Sequence, residues 1–123
     1  MGTGWDVEKC CLTWQKKGDC EADAHFLFPR SLSGFAGHFP GMPIVPAIIQ
    51  LQAVRYLTDL LCGSTVSVER YSGVKFKTMV MPDEELFLTL SIKKIEDMWS
   101  GQFVMKKSDG SSTAQGTIQF VEA

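Results

Sequence analysis

Apolar and polar residues alternate most cleanly near the middle of the chain, where Leu86, Leu88, Leu90 and Ile92 occur at every second position. A two-residue period puts these four side chains on one face of a strand, and the pattern predicts a strand over 84–95. The same reading predicts strands over 10–16 and 21–28, with Ala22, Ala24, Phe26 and Phe28 sharing one face. Lys17-Gly18-Asp19 between them is turn chemistry, so these two strands are expected to form a hairpin. Further strands are predicted over 66–76, 101–107 and 111–121, separated by breaks at Met81-Pro82-Asp83 and Ser108-Asp109-Gly110.

Residues 46–61 have a different period. Pro46 suits the first position of a helix, where its missing N–H costs nothing. Ile48, Ile49, Leu51, Ala53, Val54, Tyr56, Leu57, Leu60 and Leu61 would cover most of the circumference of that helix. The polar stripe is narrow, with Gln52, Arg55 and Asp59 at helical spacing. A helix this apolar is expected to be buried, and Gly63 is a candidate to cap its C-terminus. The order is two strands, one long helix and four strands. This predicts an α+β domain, with an antiparallel sheet wrapped around the helix, as a single unit over 1–123.

Composition narrows the functional classes. The formal net charge is −2, with hydrophobic residues at 45% and charged residues at 21%. That is an ordinary globular balance with no basic footprint, so nucleic acid is not an expected partner. The apolar stretch over 44–61 is interrupted by Gln50, Gln52, Arg55 and Asp59, too polar for a membrane span. The first nine residues do not read as a secretory signal, and the expected location is the cytoplasm. Cys10, Cys11, Cys20 and Cys62 include no CxxC pair. They are read as reduced, small apolar residues, with no metal site and no disulfide frame.

The chemistry concentrates in Gly37-His38-Phe39-Pro40-Gly41-Met42-Pro43-Ile44-Val45-Pro46. Prolines and glycines restrict this loop, and a histidine held just before a buried helix is a candidate general base. The helix start directs unpaired N–H groups outward, here from about Ala47 and Ile48, where they can polarise a carbonyl. The alternative is a loop stiffened only for packing, with His38 making local hydrogen bonds. The residues alone leave both readings open. His25, on the strand face opposite Phe26 and Phe28, reads as a structural histidine.

The run GHFPGMPIVPAI resembles the GHFPGxPxxPGV signature of the bacterial 3-hydroxyacyl-ACP dehydratases of the FabZ/FabA type. The stretch 75–82, KFKTMVMP, resembles their KFRRPVxPGD segment less closely. The resemblance implies a hot-dog fold that pairs as a homodimer, which in many members assembles into a higher oligomer. Its active site would lie at the dimer interface and take an acyl thioester of acyl carrier protein or CoA. No cofactor is implied. By position, His38 matches the family's histidine, and Ala47 matches the glycine whose N–H binds the thioester carbonyl. Phe39 and Gly41 fall with them in the substrate-binding loop.

The family's catalytic Glu or Asp lies fourteen residues after the histidine, and here that position is Gln52. An amide cannot protonate a leaving hydroxyl at neutral pH. Gln52 could orient the hydroxyl or a water, or it could be a tolerated polar residue paired with Arg55. Asp59, about 10 Å further along the axis, is too far to replace it. Arg30, Lys75 and Lys77 are the candidates for meeting an acidic carrier protein. Three functions follow as expectations: a dehydratase-like lyase of fatty acid or polyene-type synthesis, a non-catalytic thioester-binding protein or partner subunit, and, with least support, a thioesterase.

Overall fold

In a computed structural model, residues 7–29 and 45–122 are described. A 3-10 turn, Val7–Cys10, leads into β1 (Cys11–Lys16) and β2 (Glu21–Leu27). The helix α1 (Ala47–Cys62) follows, then β3 (Val66–Phe76), β4 (Glu85–Ile95), β5 (Met98–Lys107) and β6 (Ser112–Glu122). The six strands form one antiparallel sheet in the order β1-β2-β4-β5-β6-β3.

The period-two expectation holds along β4. Leu86, Leu88, Leu90 and Ile92 are buried, and the residues between them are exposed. Ala22, Ala24 and Phe26 of β2 sit on the same side, joined by Phe28 just past the strand. This face meets α1, which packs against β2, β3 and β4 and closes the core with Ile49, Ala53, Val54, Leu57 and Leu61. The arrangement is the expected α+β one.

Several boundaries differ from the sequence reading. Cys10 closes the 3-10 turn and does not begin β1. Pro46 is the N-cap, with an extended ψ of 151°, so the helix proper begins at Ala47. Its other end behaves as expected. Gly63 has φ 74°, and its N–H donates to the carbonyls of Asp59 (2.9 Å) and Leu60 (3.3 Å). β5 starts three residues before the expected Gly101, because the β4–β5 turn places Glu96 at φ 58° with no glycine to mark it. The helix is also less enclosed than its composition suggests. Ala47, Ile48 and Arg55 are exposed, Ile48 to 53%, and Leu51, Tyr56 and Leu60 are half-buried, so this chain's sheet covers only one side.

Candidate active site at the helix N-terminus

Val45 anchors the entry to α1. Its N–H donates to the Val80 carbonyl at 2.7 Å, fixing the helix start to the segment after β3. The first intrahelical bonds run from Ile49 (3.1 Å) and Gln50 (3.2 Å) to the Pro46 carbonyl. The N–H groups of Ala47 and Ile48 therefore have no acceptor within the helix, and Pro46 has no side-chain oxygen to cap them. Donors at this end of a helix, reinforced by its dipole, suit a carbonyl oxygen that gains negative charge. Beside them lies a mainly apolar hollow of about 270 Å³. Val45, Ala47 and Gln50 line one side, and Phe76, Lys77 and Met79 line the other.

Gln52 is half-buried one turn further on, and its Oε1 lies buried with no hydrogen-bond partner among the described residues. The alternative of a pairing with Arg55 does not occur. Arg55 Nη2 donates instead to the Val66 carbonyl (3.3 Å), and the Val66 N–H donates to Asp59 Oδ1 (2.9 Å). The two side chains thus clasp the start of β3, whose backbone offers each a fixed partner. This commits Asp59 to a structural contact. Burial pushes the Asp59 carboxyl above the usual aspartate range, against the opposing pull of the Val66 N–H and Arg55.

Of the proposed docking lysines, Lys75 is exposed on β3, and Lys77 just beyond it donates to Gln115 Oε1 at 2.9 Å. Arg30, His38, Phe39 and Gly41 lie outside the described residues. His25 stacks on Phe87 with ring centroids 4.4 Å apart, its Nε2 2.7 Å from Glu85 Oε1, on the outer face of the sheet. The cysteines are free thiols.

Sequence reasoning passed over Gln50. It sits on the sheet-facing stripe, three and seven residues before Ala53 and Leu57, and is only 4% exposed. A polar residue on an apolar stripe was the available signal.

Residues 14–117 match the family model described as ApeI-like, ApeI dehydratase. The chain belongs to the ApeI-like dehydratase family. Among relatives, the 3-hydroxyacyl-(acyl-carrier-protein) dehydratase FabZ of Oenococcus oeni is 27% identical over 94 residues, covering 71% of this chain and 68% of the relative. The enzyme of the same name from Streptococcus pneumoniae serotype 4 is 28% identical over 93 residues, covering 70% and 66%. The chain thus spans about two thirds of the length of these relatives. Among solved structures, the dehydratase heterocomplex ApeI:P from Xenorhabdus doucetiae superposes with a TM-score of 0.79 at 21% identity, covering 91% of this chain and 96% of that one. A hypothetical thioesterase with coenzyme A from Streptococcus pneumoniae reaches 0.69 at 8% identity, covering 89% and 88%. The fold is the hot-dog fold, which hosts more than one chemistry and does not choose among them. ApeI-like membership makes this chain dehydratase-like, in keeping at family level with fatty acid or polyene-type biosynthesis. None of its described helices is long and apolar enough to cross a membrane.

Proposed function

We propose that the protein acts on 3-hydroxyacyl thioesters of a carrier protein, or of CoA, as a dehydratase with an altered proton donor. The observation that carries this reading is the pair of N–H groups at Ala47 and Ile48, without an acceptor among the described residues, beside an apolar hollow in a chain of dehydratase family. The thioester carbonyl takes the Ala47 N–H, with Phe39 and Gly41 shaping the loop around it. His38 removes the C2 proton, the C3–O bond breaks, and His38 returns a proton so that the hydroxyl leaves as water. Gln52 holds the hydroxyl or a water by hydrogen bonding. The 123 residues act as one domain in a cytoplasmic homodimer, with Arg30, Lys75 and Lys77 facing the carrier.

A second reading has one observation in its favour. With Gln52 at the acid position, the chain would serve as a binding subunit beside a competent paralogue, in line with the heterocomplex that ApeI forms in Xenorhabdus doucetiae.

The test is ultraviolet detection of the conjugated enoyl thioester, starting from 3-hydroxyacyl and from 2-enoyl substrates. The expected result is interconversion in both directions, reduced by roughly 10²-fold or more in His38→Ala. Thioester binding without turnover would favour the partner-subunit reading. Turnover indifferent to His38→Ala would remove His38 from the mechanism.

A further inference from the structure

Gln50 lies on the stripe of α1 that packs against the sheet, where the neighbouring side chains are apolar or, like Thr58, bonded within the helix (to the Val54 carbonyl, 2.8 Å). Its Nε2 donates to the Val45 carbonyl at 3.2 Å. That contact sets the orientation of the amide, because a carbonyl can only accept. The Gln50 Oε1 is then an acceptor, buried and without a partner among the described residues. A leucine here would fill the stripe with no such penalty, and an orphaned buried acceptor works against folding. Gln50 also lines the hollow at the helix start. N–H donors at Ala47 and Ile48 therefore stand at the helix start beside the hollow, and Gln50, which carries the buried carbonyl acceptor, is part of its wall.

We propose that Gln50 is a specificity residue whose Oε1 accepts a hydrogen bond from the amide N–H of the thioester's thiol arm, the amide two carbons beyond sulfur. The inference rests on the thioester reading of the same site. An acceptor calls for a donor on the ligand, and the thioester group itself has none. The hollow opens outward past exposed Ala47, Phe76, Lys77 and Met79, Met79 to 58%. Its occupant must span from solvent to interior, as the thiol arm does. Ala47 and Gln50 are three residues apart, about 4.5 Å along the axis, so a carbonyl at one and an amide at the other suit a short linker.

The test compares two ligands by titration calorimetry. One is the octanoyl thioester of N-acetylcysteamine. The other is the S-(4-oxopentyl) thioester of octanoate, in which a methylene replaces the amide N–H. Neither carries a 3-hydroxyl, so neither turns over. The native protein should prefer the amide ligand by roughly three- to tenfold. Gln50→Leu should bind both as the native protein binds the ketone, and should melt at a higher temperature than the parent. Equal binding of the two ligands by the native protein would overturn the proposal while leaving the thioester reading standing, and needs no variant. A preference that survives Gln50→Leu would also overturn it. If Gln50→Leu weakens only the 3-hydroxyoctanoyl ligand, measured with His38→Ala to stop turnover, the acceptor serves the substrate hydroxyl and the arm assignment fails. If neither thioester binds the native protein, the thioester reading itself falls, and this proposal with it.

Discussion

Replacing Gln52 by glutamate tests whether the dehydratase scaffold lacks only its acid. The substitution exchanges an amide nitrogen for oxygen at nearly constant volume, so the packing of α1 is little disturbed. Arg55 will not hold the new carboxyl ionised, because its Nη2 is directed to the Val66 carbonyl. Burial at this half-buried site therefore raises the carboxyl's pKa and keeps it protonated closer to neutral pH, the form that can donate. A positioned general acid contributes about 10²–10⁴-fold, or about 3–5 kcal/mol of barrier. Gln52→Glu should thus raise the rate of enoyl hydration or hydroxyacyl dehydration well above the parent's, and His38→Ala in the same background should abolish the gain. The cost should appear in stability. With its folded pKa raised, the introduced carboxyl is neutral for folding below the unfolded value of about 4.3, and it destabilises as pH rises through the folded pKa, by about 1.4 kcal/mol per unit of elevation. Melting temperature against pH measures that cost, and the enoyl absorbance measures the rate. A variant that binds thioester as well as the parent, melts lower at alkaline pH and gains no activity would refute the reasoning. The site would then differ from a dehydratase in more than its acid.

Two further outcomes bear on the scaffold. A Cβ on Gly116 would come within 2.9 Å of the Val74 backbone and 3.0 Å of the Phe103 ring, so Gly116→Ala should destabilise by about 1–3 kcal/mol in chemical denaturation; an unchanged midpoint would show that the β3 bulge over Gly116 yields freely. Asp59 has a pKa raised by burial, so its contribution favours the folded state below the ordinary value of 3.8 and is lost as pH rises through the folded value. In Asp59→Asn the amide oxygen still accepts from Val66, so the parent-minus-variant difference in Tm should decline across that window, and a difference that grows with pH would contradict the sign.

The strands were legible wherever one face is buried and the other wet. The leucines of β4 and the alanine–phenylalanine face of β2 needed nothing beyond their spacing. The helix ends were legible in Pro46 and Gly63, because each restricts backbone geometry directly. The β4–β5 turn was not, since Glu96 takes a left-handed conformation with nothing in its chemistry to announce it. The pairing of β3 with β6 depends on residues about 50 positions apart, such as Val68 and Phe120, and local periodicity does not encode it. At the site, the helix-start donors followed from Pro46, while the Gln52–Arg55 pairing failed because the Val66 backbone, distant in sequence, supplies a better partner. Gln50 was visible as a polar residue in an apolar register and was passed over in favour of its neighbour. His38, Phe39, Gly41 and Arg30 are argued from sequence alone.

The pairing pattern also determines where this chain can change in length. β4 pairs with β2 and β5 without interruption on either side. An added or deleted residue there would turn every following side chain to the opposite face and expose its leucines. β1 and β3, at the two edges, each have irregular steps, after Cys11 in β1 and after Val68 and Ser72 in β3. An edge strand with a bulge takes up slack on one side only. Insertions and deletions in descendants of this sequence should therefore collect away from β4, the strand whose residue count is fixed from both sides.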